Sequence, residues 1–144
     1  MNFILDTCVI SELIKPHPNE SVIAWLQSKS EDCLFLSVLS FGEIAKGIEK
    51  LSDETKKMRL KQWVEEDLKL RFKDRIISID LDISVKWGEV QGIAELKGRP
   101  MPSIDGLIAA SGIVKNYTVA TRNISDMEQS SVKLLNPWEP KIHS

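Results

Sequence analysis

Five short apolar runs, separated by helical patterns, leave this chain few architectures. They occupy residues 2–6, 33–37, 75–79, 117–121 and 132–135. Each is rich in Ile, Leu, Val, Phe or Thr and too short to stand as a helix. Their near-continuous apolar character, rather than alternation, fits strands covered on both faces of a parallel sheet. The segments between them read as helices. Asn19 can cap one that buries Val22, Ile23 and Leu26, and Ser52 or Asp53 can open a longer one with Leu60, Trp63, Val64 and Leu68 inward. Val85, Val90, Ile93 and Leu96 form a further stripe closed by Gly98 and Pro100, and Ser103 opens a helix that buries Leu107, Ile108 and Val114. The expected fold class is α/β, a three-layer α/β/α sandwich with a five-stranded parallel sheet, with residues 1–144 as one domain.

A chain of 144 residues with 42% hydrophobic content can bury an ordinary core. No apolar run approaches the ~20 residues that cross a bilayer. The start, MNFILDTCVISEL, lacks the basic leader of a signal peptide, so a cytoplasmic protein with no membrane partner is expected. Cys8 and Cys33 have neither a CxxC spacing nor a nearby histidine, which argues against a disulfide scaffold or a zinc site. His17 and His143 fit solvated positions near a turn and the C-terminus. The net charge of −2 speaks mildly against a polyanionic partner. Basic clusters do exist at Lys56, Lys57, Arg59 and Lys61, and at Lys69, Arg71, Lys73 and Arg75. A helix face balanced by Glu65, Glu66 and Asp67 accounts for them better than a nucleic-acid site does.

The acids carry more information. In a parallel sheet with helical crossovers, strand C-termini and helix N-termini share one rim. Asp6 ends the first strand. Glu43 lies near the start of the helix after the second, and Asp105 in the first turn of the helix before the fourth. Thr121, Asn123 and Asp126 form the loop leaving the fourth strand. Four acids remote in sequence therefore belong to one edge. Carboxylates brought together repel, so they must take up protons or share a cation. Oxygen ligands without His or Cys select Mg²⁺ or Mn²⁺. An ion so held suits phosphodiester hydrolysis, because it polarises a phosphoryl oxygen and acidifies the attacking water. Thr121 and Asn123 offer a hydroxyl and an amide to orient a carboxylate, a water or a phosphate oxygen.

Simpler roles exist for most of these residues. Ser40-Phe-Gly-Glu43 matches a capping box, Asp105 complements a helix dipole, and Asn123 and Asp126 suit a turn. Asp6 resists such an account, since a carboxylate ending an apolar strand is partly desolvated and needs a partner or a task.

Four stretches resemble the PIN-domain superfamily, and within it the VapC-type toxins of toxin–antitoxin pairs, including the FitB-like branch. They are Leu5-Asp-Thr-Cys-Val-Ile-Ser-Glu-Leu13, Leu36-Ser-Val-Leu-Ser-Phe-Gly-Glu-Ile44, Met101-Pro-Ser-Ile-Asp-Gly-Leu-Ile-Ala-Ala110 and Val119-Ala-Thr-Arg-Asn-Ile-Ser-Asp126. They stand in the family's order and span nearly the whole chain. The resemblance implies a Mg²⁺- or Mn²⁺-dependent endoribonuclease that cuts structured RNA such as tRNA or rRNA. It also implies a homodimer held by a cognate antitoxin that blocks the site and often binds operator DNA. Carried over by motif, Asp6, Glu43 and Asp105 match the three principal acids and Asp126 the variable fourth. Thr121 and Asn123 match the polar pair, and Ser103 precedes the third acid as a cap. Two positions depart from the pattern. Cys8 stands where relatives have Asn or Ser, weakening a polar contact to Asp6, and Met127 replaces a common Phe.

Competing readings fare worse. No GxGxxG or GxxxxGK[ST] follows the first strand, where Asp6 would repel a pyrophosphate. A haloacid-dehalogenase-type phosphohydrolase needs a second Asp where Cys8 stands. A catalytically silent PIN-like module that binds RNA or protein predicts a missing acid, and all four are present.

Overall fold

The computed structural model describes residues 1–140, so His143 lies outside the described residues. The five apolar runs form strands β1 (Phe3–Leu5), β2 (Leu34–Ser37), β3 (Ile76–Ile77), β4 (Thr118–Ala120) and β5 (Leu134–Leu135). All pair in parallel, in the order β3-β2-β1-β4-β5. From β1 the chain builds outward through β2 and β3, then returns to the other side of β1 for β4 and β5. The topological switch therefore lies between β1 and β4, where open α/β sheets place their ligand crevice.

Side chains on adjacent strand positions point to opposite faces, and both faces are covered. Phe3, Leu5, Leu34, Leu36 and Ala120 face one core with Val9, Ile10, Val22, Trp25, Leu26, Ile44, Ile48, Leu68 and Phe72. Ile4, Ile77 and Val119 face the other, with Ile83, Ile108, Ala109, Ala110 and Met127. The first core is roofed by α1 (Thr7–Leu13), α2 (Glu20–Gln27), α3 (Val38–Glu49) and α4 (Glu54–Trp63). α4 runs through a π-turn at Val64–Leu68 into the short α5 (Lys69–Arg71). The second core is covered by α6 (Leu81–Leu96), α7 (Ser103–Lys115) and α8 (Ile124–Met127). The three-layer sandwich is thus the observed architecture.

Local caps follow the sequence signals. Asn19 Oδ1 accepts the Ser21 and Val22 N–H groups, and Asp53 Oδ1 accepts that of Lys56. Glu12, 4% exposed, accepts the Asn19 N–H at 2.8 Å and the Lys15 ammonium at 2.9 Å, which ties down the connection between α1 and α2. Five of the eight residues in the basic clusters form surface pairs, and Lys56, Arg59 and Lys73 form none among the described residues. Lys57 and Lys61 approach Glu49, Lys69 meets Glu65, and Arg71 and Arg75 share Glu31. Arg75 also donates to the Glu31 and Leu34 carbonyls at 2.6 Å, where a guanidinium serves as a backbone clamp.

The α6 stripe is the clearest departure from expectation. Val85, Ile93 and Leu96 were expected inward, yet they are 53%, 51% and 90% exposed, and Val90 is only half-buried. The buried positions are Ile83, Gln91 and Ala94. Gln91 explains the rotation: its amide donates to the Met101 carbonyl at 2.9 Å and accepts the Met101 N–H at 3.1 Å. A polar latch orients the helix, and apolar pattern alone cannot anticipate that.

Close packing of α7 on the sheet depends on Gly112. A Cβ there would stand 2.7 Å from Val132 Cγ2 and 3.0 Å from Val119 Cγ2. Gly112→Ala is expected to cost about 2 kcal/mol through overpacking. Gly88→Ala, with nothing within 4 Å of its added Cβ, should be neutral or slightly stabilising. Thermal melts of the two variants side by side check the contrast.

Candidate active site

The site begins where β1 and β4 end. Their register pairs Leu5 with Ala120, and the Asp6 N–H donates to the Ala120 carbonyl at 2.9 Å, so the next residues, Asp6 and Thr121, lie side by side. Thr121 Oγ1 donates to Asp6 Oδ2 at 2.7 Å and accepts the Asn123 N–H at 2.9 Å. Asp6 also caps α1, its Oδ1 accepting the Thr7 N–H at 2.8 Å. At 2% exposure its carboxyl is pushed up by burial and by the Glu43 charge, against the pull of the Thr121 and Thr7 hydrogen bonds.

Glu43 comes from the second turn of α3. The Thr7 hydroxyl donates to Glu43 Oε1 at 2.6 Å, and the Ser40 hydroxyl lies 3.0 Å from the same Thr7 oxygen. The capping-box account of Ser40 and Glu43 is overturned. α3 starts at Val38 and is capped by Ser37, whose Oγ accepts the Leu39 N–H at 3.1 Å. Ser40 is therefore inside the helix and buried, and its hydroxyl turns to Thr7 instead.

Asp105 is the third residue of α7. The helix cap is Pro102, with no side-chain hydrogen bond, so Ser103 does not cap it as expected. Burial raises the Asp105 carboxyl to about 6, and the charges of Asp6, Asp126 and Glu43 push in the same direction. Those charges come from the end of β1, from α8 and from α3. Asp126, in the first turn of α8, is exposed. Asn123 caps α8 without a side-chain bond and is exposed, so its backbone rather than its amide is engaged, with Thr121.

Cys8 sits beneath this cluster. Its Sγ lies 3.9 Å from Asp6 Oδ2 and 3.8 Å from Thr121 Oγ1, and it accepts the Arg122 N–H at 3.5 Å. Burial and the Asp6 charge raise the thiol, which keeps it a neutral, weak donor. The polar contact is lengthened but retained.

The donors at this rim fit a hard divalent cation. They are carboxylate and hydroxyl oxygens, partly shielded from water, and Asp105 carries a repulsion that a cation would relieve. Among the described residues no three acids by themselves close around an ion, so water would complete its shell.

Thr7 and Ser40 are the contacts of Glu43 and its neighbourhood that the sequence did not point to. The available signals were a hydroxyl directly after the strand-ending acid and another one helical turn before Glu43. Thr7→Val, which keeps shape and removes the donor, should cut activity by roughly ten- to a hundred-fold, as the loss of a ligand-orienting partner does. Cleavage rates, compared with an unchanged melting temperature, check this.

The PIN domain profile matches residues 3–128. Toxin FitB of Neisseria gonorrhoeae is 33% identical over 135 residues, covering 94% of this chain and 97% of that protein. The VapC ribonuclease Y4jK of Sinorhizobium fredii is 31% identical over 137 residues, covering 95% and 98%. Among solved structures, FitAB bound to an IR36 DNA fragment superposes with a TM-score of 0.92 at 32% identity, covering 99% of each chain. With its rim of acids at the β1–β4 switch and these full-length similarities, the chain belongs to the PIN-domain family of metal-dependent ribonucleases, and within it to the VapC- and FitB-type toxins.

Proposed function

We propose that the chain is a Mg²⁺-dependent endoribonuclease toxin, with Asp6, Glu43, Asp105 and Asp126 as the ion-holding acids. The observation that carries this reading is the end of β1 beside the end of β4, where Thr121 holds one oxygen of Asp6 and Thr7 links Asp6 to Glu43. Burial and the charges of Asp6, Asp126 and Glu43 raise the Asp105 carboxyl. Mg²⁺, with Mn²⁺ as a substitute, would offset charge on the scissile phosphate and acidify the attacking water. The protein's part is orientation. Thr121 fixes one oxygen of Asp6, the Thr7 N–H fixes the other, and the Thr7 hydroxyl fixes Glu43. Asp105, in the first turn of α7, would complete the set, and the Asp6, Asp126 and Glu43 charges reaching it support that role.

Mapping cleavage sites on total RNA with added Mg²⁺, with Asp6→Asn as the control, tests the reading. Loss of cleavage in the control supports it, and equal cleavage by both proteins refutes it. Asp126 is exposed where Asp6 is buried, so Asp126→Asn should be distinctly milder than Asp6→Asn. Equal losses in the two variants would overturn that ranking.

The same reading implies three further properties. A cognate antitoxin would occupy the groove between α1, α3 and α4, of about 740 Å³, which is lined by Ile14, Ile44, Ile48, Leu60 and Trp63 and reaches Thr7 and Glu43. Its apolar walls suit a helix or strand of that partner, and its acidic end suits a basic side chain. A homodimer would cover the exposed Leu81, Val85, Ile93 and Leu96 of α6. Among the described residues no helix is long and apolar enough to cross a membrane. The cytoplasm, where tRNA and rRNA reside, is the compartment the reading implies.

A further inference from the structure

We infer that Arg122, stacked on Trp138, is an RNA-contacting residue that grips a phosphate flanking the scissile bond. The inference rests on the ribonuclease reading and adds a substrate contact to it. Arg122 follows Thr121 directly in the loop that leaves β4, and its backbone N–H reaches Cys8 Sγ at 3.5 Å, one contact away from Asp6. Its side chain is exposed, and its guanidinium carbon lies 5.1 Å from the centre of the Trp138 ring. Trp138 is itself held: its N–H donates to Asn136 Oδ1 at 2.9 Å, and its ring packs against the first core. The guanidinium thus rests on a fixed aromatic plate while the edge bearing its N–H donors stays open.

The remaining charges narrow its use. Among the described residues Arg122, like several surface lysines and Arg59, is in no ion pair, but it alone of these directly follows Thr121 at the end of β4. Its charge reaches Glu12, and its side chain lies over Trp138 beside the acids rather than among them. A cation at that place leaves the acids' affinity for a divalent ion intact. It also supplies a positive anchor that a polyanion approaching a negative rim requires. A planar fork of donors matches a phosphate in two-point contact. The flanking phosphate, not the one that reacts, is the group within its reach.

The test uses the Asp6→Asn protein as a non-cleaving binder, with fluorescence anisotropy on a single-stranded RNA oligonucleotide across a KCl series. Adding Arg122→Ala should weaken binding roughly ten-fold. It should also lower the slope of log K against log salt by about 0.7, the loss of one phosphate contact on a single strand. Arg122→Lys should recover the slope but only part of the affinity, and Trp138→Phe, which keeps an aromatic plate, should stay close to the parent. In the otherwise unaltered enzyme, Arg122→Ala should raise KM with kcat nearly unchanged. Parental affinity and salt slope in Arg122→Ala, or a fall in kcat at constant KM, would overturn the inference while leaving the ribonuclease reading in place. If the Asp6→Asn protein bound no RNA even at low salt and the unaltered protein cleaved none in Mg²⁺, both would fall together.

Discussion

Asp6→Asn is expected to lower RNA cleavage on the order of a thousand-fold or more while leaving the protein folded. Two features of the site make the separation clean. The carboxyl is almost fully buried and meets a hydroxyl and a backbone N–H, so it has little freedom to be replaced by a neighbouring acid. An asparagine there keeps the cap of α1, since its amide oxygen accepts the Thr7 N–H as well as a carboxylate does. The Thr121 hydroxyl can accept from the new amide nitrogen while turning its own hydrogen to Cys8 Sγ, 3.8 Å away, so neither buried donor is orphaned. What disappears is the negative charge. Circular dichroism and a melting curve matching the parent, together with lost cleavage in Mg²⁺, are the expected pair of results. Parental turnover would remove Asp6 from the mechanism.

Asp105→Asn should inactivate the enzyme in Mg²⁺ and, in the metal-free protein above neutral pH, raise its stability. Burial and three like charges hold the folded-state carboxyl near 6, above its usual value of 3.8. An acid raised on folding binds its proton more tightly in the folded than in the unfolded chain. Below pH ~4 it is protonated in both states and costs nothing. Between ~4 and ~6 the folded state progressively carries the penalty, which is complete above that range. The carboxyl is half exposed, so solvent screens it, and the gain from Asn at pH 8 is expected at about 1 kcal/mol. That corresponds to a melting temperature higher by roughly 2–4 °C. The advantage should vanish at pH 4. Added Mg²⁺ should stabilise the parent and not the variant, because an ion that binds the folded state shifts its stability by mass action. A variant less stable than the parent at every pH would show that Asp105 has a structural role instead. Stability lost to a cluster of this kind is typical of sites arranged for a ligand.

Parallel topology has a simple consequence for the ends of its strands. Once five runs are recognised as parallel strands, the residue following each must emerge at the same edge, as Asp6 and Thr121 do. Glu43 and Asp105 could be assigned to that edge because they occur early in helices that begin there. Contacts made by hydroxyls were not legible. Ser40 three residues before Glu43 fits a cap equally well, and only the true start of α3 at Val38 shows that its hydroxyl turns to Thr7. The face of α6 was hidden for a related reason. Its burial is fixed by the Gln91 latch on the Met101 backbone, and a polar residue carries no mark of burial in the sequence.

The order of strands and helices and the two-sided cover of the sheet follow from local apolar runs and chain direction. Those are near-neighbour properties, and the sequence by itself determined them. Tertiary structure alone decided which hydroxyl grips which carboxylate, which side of α6 faces water and where Arg122 comes to rest on Trp138. Each of these depends on groups far apart in the chain meeting to within an ångström, and hydrogen-bond and packing energies change steeply over that distance.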